Sequence, residues 1–210
     1  MKPLLLLTDS GHGGLIKDSS GKLIYTTGNK KRYKFPDGKE ALEGMINRDV
    51  ESILIKLWEA DNRPVVDISH GSLDISLKNR VNFANGLYDQ YVDKYRLFYL
   101  SLHSNAAKGK GTGVEVFTSK GQTLSDPCAT IIIDDLKEAF PDIKFRVDKI
   151  DGDEDKEDNF YVLRETKMRA VLVEFLFFDN YSDWQLLQNE EIIEKYAKSL
   201  YKSLLKIEAL

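Results

Sequence analysis

Three segments of this 210-residue chain are apolar at almost every position: LLLL at 4–7, YRLFYLSL at 95–102 and AVLVEFLFF at 170–178. This pattern is typical of strands that are covered on both faces, as in a parallel sheet between two layers of helices. The segments PVVDIS at 64–69 and GVEVFTS at 113–119 are also predicted to be strands. A sheet built from these five strands is therefore the feature around which the chain must fold.

Helical patterns separate the strands. Residues 43–60 and 190–207 place apolar side chains three and four positions apart, on one face of each predicted helix. The segments 74–93 and 123–140 have a less regular but still helical spacing. This alternation predicts an α/β fold with a largely parallel twisted sheet and helices on both faces. The length and the lack of an internal linker predict a single domain over residues 1–210.

Two segments interrupt the alternation. Residues 14–42 are polar and rich in glycine and lysine, and we expect a long connection that is functional or mobile. Residues 148–158, DKIDGDEDKED, are acidic. Their Asp-x-Asp-x-Asp spacing partly resembles a calcium loop, but Gly152 is misplaced and no glutamate occupies the twelfth position. We therefore expect a solvated surface loop.

The overall composition argues against several classes of function. The formal net charge is −4, so the chain lacks the basic excess of proteins that bind nucleic acid or anionic membranes. The chain has a single cysteine, Cys128, which excludes an internal disulfide. We expect Cys128 to act only as a small, half-buried residue. No apolar segment reaches transmembrane length. The N-terminus has no signal-peptide pattern, so we expect a protein made in the cytoplasm, or a chain whose export signal was removed.

Four side chains that could carry chemistry lie at the ends of predicted strands or close to them. His12 follows the first strand, His103 follows the third, and Glu174 lies within the last. Glu43 begins the first helix. Ligands bind beyond the carboxyl ends of parallel strands, so these side chains are expected to converge at one edge of the sheet. Two imidazoles and a carboxylate are a common zinc-binding set that leaves a fourth position open.

Each of these residues also has a purely structural interpretation. A single histidine after a strand suits a structural role, and Glu43 suits the positive end of the helix dipole. Glu174 lies in an apolar strand, where an ionised carboxylate needs a partner. A metal, a catalytic role, or an ion pair with Arg80 or Arg164 would each explain it. Taken one by one, the residues leave a metal site and a structural set both open.

The motifs that contain these residues resemble, in their order and spacing, the zinc-dependent N-acetylmuramoyl-L-alanine amidases, a family of peptidoglycan hydrolases. The resemblance covers essentially the whole chain. The matching motifs are DSGHGG at 9–14, Glu43 followed four residues later by Asn47, Arg80 to Asn85 on a helix, SLHSNA at 101–106, TGVEVF at 112–117 and VLVEFLFFDN at 171–180.

Two positions depart from the family pattern. Ser10 replaces the usual proline of Asp-Pro-Gly-His-Gly-Gly, which removes a fixed φ angle but keeps the histidine. After Glu174, Phe175 and Leu176 replace the commoner small residue and glycine. The second change alters the wall behind the carboxylate and leaves the carboxylate itself in place.

The resemblance implies one zinc ion per chain with His12, Glu43 and His103 as its ligands, and Glu174 as the catalytic residue. Glu40 competes with Glu43 for the ligand role, and Glu43 is chosen because the asparagine follows it at the family spacing. The implied reaction is hydrolysis of the amide between N-acetylmuramic acid and the L-alanine of the stem peptide. Glu174 would take a proton from the attacking water and pass it to the leaving nitrogen.

The resemblance also implies the partners and the biological setting. The substrate is expected to be peptidoglycan, a glycan strand with its stem peptide, and neither nucleic acid nor a membrane is expected. We expect a monomer with one catalytic domain over residues 1–210, no separate wall-binding domain, and a role in cell-wall lysis such as that of a phage endolysin. Two alternatives stay open: a zinc peptidase that cuts within the stem peptide, and a non-catalytic wall-binding module on the same fold.

Three further residues are interpreted from their neighbours. His70 precedes a turn and belongs to no family motif, so we expect it at the surface or at the rim of the site. Asp9 either holds a ligand imidazole in its tautomer or caps the turn. Glu115 either supports the site from behind or pairs with a surface lysine.

Overall fold

The five predicted strands lie together in one sheet. The computed structural model describes residues 2–150 and 152–210. Within these ranges the strands are β1 (Leu4–Ser10), β2 (Leu15–Lys17), β3 (Leu23–Tyr25), β4 (Arg32–Lys34), β5 (Glu40–Leu42), β6 (Val65–Asp67), β7 (Arg96–Asn105), β8 (Val114–Thr118), β9 (Lys156–Glu157) and β10 (Arg169–Phe177). The central sheet has the order β6, β1, β7, β10, β8, β9. Strands β6, β1, β7 and β10 are parallel and β8 is antiparallel to β10, so the predicted largely parallel sheet is confirmed.

Helices cover both faces of this sheet, as predicted. In the described residues they are α1 (Glu43–Ala60), α2 (Leu77–Tyr91), α3 (Asp126–Ala139), α4 (Tyr161–Glu165), α5 (Tyr181–Leu187) and α6 (Glu190–Glu208). One apolar core lies between the sheet and helices α1, α3, α5 and α6. A smaller core lies on the opposite face, beneath α2 and α4.

The packing of α1 shows how its sequence pattern acts. Ile46, Val50, Leu54 and Trp58 recur every four residues, and each is at most 3% exposed. They pack in the same core as Leu6 of β1. Full burial of such a side chain contributes about 1.5–3 kcal/mol. Because this packing holds α1 along its length, it also determines where the first residue of the helix lies.

The sheet register brings the predicted site residues to one edge. In the parallel pair β7 and β10, His103 lies opposite Glu174. Strand β1 pairs with β7 so that Ser10 lies opposite Leu102, which places His12 just beyond the end of β1. We predicted that His103 follows β7, and that is wrong. Strand β7 continues to Asn105, so His103 lies within it.

Residues 14–42 differ from the long connection that we predicted. They form two small antiparallel sheets, in which β2 pairs with β3 and β4 pairs with β5. Tyr25 and Phe35 anchor this segment, and each is 4% exposed. These three-residue strands lie in a polar segment and lack a β-branched run such as the one that marks β6, which is why the sequence did not reveal them.

The acidic segment 148–158 is not solvated throughout, so our prediction is wrong at Asp155, which is 1% exposed. Strand β9 lies in this segment and pairs with β8 at the edge of the sheet. Asp151 of the calcium-loop spacing lies outside the described residues. Cys128, predicted to be half-buried, belongs to α3 and is fully buried. Within residues 2–150 and 152–210 no helix is both long and apolar enough to cross a membrane.

Candidate active site

His12, Glu43 and His103 lie together at the carboxyl edge of the sheet. Their ligand-type atoms are all within 4.8 Å of one another. Glu43 Oε1 is 2.9 Å from His103 Nδ1 and 3.3 Å from His12 Nε2. The two imidazole rings are nearly perpendicular, with centroids 5.1 Å apart. Glu40, the competing carboxylate, is exposed in β5, with an oxygen 3.8 Å from Arg32 Nε.

Glu43 is fully buried, and its surroundings favour the ionised form. Burial alone would raise the pKa of Glu43, but the interactions with His103 and His12 outweigh it and lower that pKa. Lys31 Nζ lies 3.1 Å from Glu43 Oε2. One oxygen therefore faces a cation, while the other faces both imidazoles. The sequence did not point to Lys31, because it lies in the segment 14–42 and belongs to no motif.

The backbone at His12 has an unusual conformation. Its φ angle is 69°, in the left-handed region, which costs a residue other than glycine about 1–3 kcal/mol. The preceding residue must be glycine, because a Cβ on Gly11 would lie 2.1 Å from Cε1 of His103. The turn after β1 is thus shaped so that the two imidazoles can approach each other.

Arg80 of α2 holds this turn from below. Its guanidinium donates to the Ser10 carbonyl at 2.8 Å and to the His12 carbonyl at 3.2 Å. It also forms a buried ion pair with Asp9. The Asp9 carboxylate accepts further hydrogen bonds from Tyr99 at 2.6 Å and Ser101 at 3.1 Å. Asp9 therefore neither orients an imidazole nor caps the turn, and both of our interpretations of it are wrong.

Replacing Arg80 with methionine is expected to lower the free energy of unfolding by about 3–5 kcal/mol, because it leaves the Asp9 carboxylate buried without its cation. Urea unfolding at pH 7 measures this. The double variant Arg80→Met/Asp9→Asn should recover at least half of the loss, whereas Arg164→Met, at an exposed arginine, should change stability by less than about 0.5 kcal/mol. A single Arg80→Met variant within 1 kcal/mol of the wild type would contradict this role.

Ser10 has a structural reason to replace the usual proline. Its backbone N–H donates to Glu51 Oε1 at 3.1 Å and to Ser69 Oγ at 3.0 Å, and its hydroxyl lies 2.7 Å from the same Ser69 oxygen. Proline has no N–H and could make none of the backbone bonds. Glu51 is 4% exposed, so its oxygen depends on these donors.

The stability of the protein is expected to fall as pH rises from about 5 to 8, because of Glu51. Burial and the nearby charge of Asp67 raise the pKa of Glu51 to about 7. The folded state therefore binds a proton that the unfolded chain releases above its ordinary pKa, so this contribution is present at low pH and lost as pH passes 7. Urea unfolding at pH 5 and pH 8 should show that Glu51→Gln gains on the order of 3 kcal/mol relative to wild type at the higher pH. Glu59→Gln, at an exposed position of the same helix, should show no such gain, and an unchanged pH dependence in Glu51→Gln would refute this origin.

Glu174 lies in the same row of side chains as His103. Burial raises the pKa of Glu174 to about 7. Its Oε2 is buried and has no hydrogen-bond partner among the described residues. The two arginines considered as partners lie elsewhere: Arg80 pairs with Asp9, and Arg164 pairs with Glu165. A structural ion pair with either arginine is thus excluded.

The β10 strand changes its pairing directly after Glu174. The register with β7 shifts between Glu174 and Phe177, and Leu176 has a φ angle of 63°. This left-handed conformation favours glycine. It explains why glycine is usual in the family at the position of Leu176.

Glu115 of β8 lies opposite Glu174 on the other side of β10. Glu115 Oε1 is 2.6 Å from Lys156 Nζ and 2.9 Å from Arg146 Nε. Of the two roles left open for Glu115, the pairing with a lysine is present, together with an arginine. His70, predicted at the surface, is exposed.

One cavity adjoins the two histidines of the site, and a second lies next to the segment that contains Lys31. The first, of about 390 Å³, is lined by His12 and His103 together with Asp74, Ile75 and Val162. The second, of about 580 Å³, is lined by residues on either side of Lys31 and by the chain that follows β7 and β10. Three cations contribute to the second cavity, Lys30, Arg32 and Lys108.

The donor set is suited to a zinc ion. His12 Nε2 is buried and lacks a hydrogen bond of good geometry within the described residues. Two imidazole nitrogens and one carboxylate oxygen within 4.8 Å of one another match the three protein ligands of catalytic zinc sites.

Proteins of known family have sequences similar to this chain. The profile of the N-acetylmuramoyl-L-alanine amidase family matches residues 7–206. The N-acetylmuramoyl-L-alanine amidase CwlM of Bacillus licheniformis is 28% identical over 194 residues, which are 92% of this chain and 64% of that protein. The sporulation-specific N-acetylmuramoyl-L-alanine amidase of Bacillus subtilis strain 168 is 25% identical over 193 residues, with the same two shares. This chain thus spans less than two thirds of the length of these relatives.

Solved structures show the same fold. An N-acetylmuramoyl-L-alanine amidase from Clostridium difficile 630 superposes with a TM-score of 0.75 at 23% identity, covering 98% of this chain and 97% of that one. The catalytic domain of the CD27L endolysin, which targets Clostridium difficile, has a TM-score of 0.67 at 21% identity, with 96% and 97% covered. Because the family profile covers nearly the whole sequence and the fold agrees with it, the chain belongs to the N-acetylmuramoyl-L-alanine amidase family.

Proposed function

We propose that the protein is a zinc-dependent amidase that hydrolyses the bond between N-acetylmuramic acid and the L-alanine of the stem peptide in peptidoglycan. The observation that carries this proposal is the placement of Glu174. It is a half-buried residue whose Oε2 is buried and has no hydrogen-bond partner among the described residues, and it lies opposite His103 in the register of β7 and β10. Membership in the amidase family supports the same reaction.

His12, Glu43 and His103 would hold the zinc ion. When bound, zinc supplies Lewis-acid chemistry: it polarises a carbonyl group and makes water more acidic. Lys31 holds Glu43 Oε2, so that Oε1 stays directed at the two imidazoles.

Glu174 carries the proton in this mechanism. Its carboxylate takes a proton from the attacking water and then donates it to the nitrogen of the leaving alanine. A carboxyl group whose pKa is raised to about 7 suits both steps, because it accepts and releases a proton near neutral pH.

We assign the two cavities to parts of the extended substrate. The 390 Å³ cavity opens directly beside the two histidines. The 580 Å³ cavity carries Lys30, Arg32 and Lys108, whose charges are complementary to the carboxylates of a peptide.

Mass spectrometry of the products from purified sacculi tests the reaction. Stem peptides with a free alanine amino terminus, together with glycan strands that have lost them, support the amidase. Cuts within the stem peptide would identify a peptidase instead, and binding to sacculi without any product would identify a wall-binding module. Either of the last two results would overturn the proposal.

We also propose that this activity serves cell-wall lysis, as in a phage endolysin. One similar solved structure is the catalytic domain of an endolysin, which supports this setting. Purified protein added to growing Gram-positive cells should reduce their turbidity. Release of peptides from isolated sacculi without lysis of any cells would contradict the lytic role and leave the reaction itself intact.

A further inference from the structure

Asp153 and Asp155 form a pair of carboxylates for which the described residues supply no ion-pair partner. Asp155 is 1% exposed, and its Oδ2 accepts a hydrogen bond from Thr118 Oγ1 at 2.6 Å. Its Oδ1 is buried and has no hydrogen-bond partner in the described parts of the chain. The same is true of Oδ1 of Asp153. Two buried oxygens of neighbouring acids are thus left unsatisfied, which is costly unless a proton or a cation compensates them.

The lysines near this pair are directed elsewhere. Lys137 and Lys149 pair with Glu154, the residue between the two aspartates in the chain. Lys156 pairs with Glu115. Asp126 is the further charged group that acts on Asp155, and it adds negative charge. The electrostatic field at the pair is therefore unfavourable for two ionised carboxylates.

We propose that Asp153 and Asp155 bind one calcium ion at the point where the acidic segment 148–158 joins the sheet. Calcium binds carboxylate, carbonyl and water oxygens in flexible geometry. Two carboxylates, completed by water and main-chain oxygens, therefore suit this ion. A donor set made only of oxygens favours a hard cation such as calcium over softer metals. This site is separate from the zinc site and does not depend on the proposed reaction.

The position of the site gives it a structural role. Thr118 ends β8, and the neighbouring Lys156 and Glu157 form β9, which pairs with β8. Lys156 in turn contacts Glu115, which lies opposite Glu174. An ion bound by Asp155 would hold the acidic segment against the sheet edge that supports the catalytic carboxylate.

Burial, together with the Asp153 carboxyl, raises the pKa of Asp155 to about 7. A shared proton is therefore the competing way to satisfy the pair below this pH. At pH 8 the proton is largely lost and a cation should bind, so pH 8 is the condition for the test.

Equilibrium dialysis of zinc-loaded protein against radioactive calcium at pH 8, in buffer freed of other divalent ions, measures binding directly. We expect one calcium per chain, and a rise in Tm of roughly 2–4 °C at a few times Kd. Asp153→Asn and Asp155→Asn should each weaken calcium binding at least tenfold, since each removes a charged ligand. Asp158→Asn, at an exposed position of the same segment, should bind calcium as the wild type does.

The wild-type measurement alone can overturn the proposal, even where Asp155→Asn fails to fold. No bound calcium at 5 mM and pH 8 would overturn the proposal, because the shared proton no longer competes at that pH. Binding that persists unchanged in Asp153→Asn would also overturn it. Zinc content is measured on the same samples by inductively coupled plasma mass spectrometry. A zinc content that stays at one per chain when calcium binds shows that the two metals occupy different sites.

Discussion

Replacing Glu174 with glutamine is expected to lower kcat by about 10²–10⁴-fold while the protein stays folded and keeps its zinc. Glutamine has nearly the same shape as glutamate but cannot accept the proton of the attacking water. The buried, unpartnered Oε2 of Glu174 makes the substitution favourable for folding, because it removes a carboxyl group that burial penalises. The loss should therefore appear in kcat and not in stability.

Release of stem peptides from sacculi measures the rate, and zinc content and urea unfolding complete the comparison. Glu59→Gln is the matched control, because Glu59 is exposed in α1. The activity of this variant should stay within about twofold of the wild type. If Glu174→Gln keeps more than a tenth of the wild-type kcat, Glu174 is a structural carboxylate and the proposed mechanism fails.

Removal of zinc is expected to abolish activity, and one equivalent of zinc should restore it. The proposed zinc ligands are His12, Glu43 and His103. 1,10-Phenanthroline is the chelator of choice, because it removes transition metals and leaves calcium in place. The zinc result therefore stands apart from the outcome at Asp153 and Asp155.

A pair of variants tests which glutamate is the ligand. Glu43→Gln should weaken zinc binding at least about tenfold, because it removes the only charged member of the set. Glu40→Gln should have no effect, since Glu40 is exposed in β5 and lies near Arg32. Activity that survives full zinc removal, or equal zinc affinity in the two variants, would contradict the metal assignment.

The main sheet and the long helices were predictable from local patterns. The boundaries of α1 coincide with the predicted 43–60. The apolar residues of this segment recur three and four positions apart, as on one face of a helix: Ile46, Val50, Ile53, Leu54 and Leu57. The strands at 95–102 and 170–178 were predicted because continuous apolar runs need cover on both faces. Short elements escaped: β2 to β5, β9, α4 and α5 contain too few residues for a period to be visible.

Pairings between distant residues were not predictable in the same way. Asp9 and Arg80 are 71 positions apart, and Ser10 and Glu51 are 41 positions apart. Nothing in the local sequence shows that these groups meet. Each donor or acceptor could pair with several other groups in the chain, and only the folded structure brings one of them into place. The two interpretations of Asp9 were wrong for this reason.

The sequence by itself determined the sheet, its helices, and the order of His12, Glu43, His103 and Glu174 along it, since hydrophobic periods and motifs are properties of neighbouring residues. The tertiary structure alone decided which oxygen of Glu43 faces the histidines, that Arg80 holds the turn of His12, and that Glu174 has no ion-pair partner among residues 2–150 and 152–210. Those facts depend on distances between side chains that are far apart in the chain, and packing brings them together only once the sheet is complete.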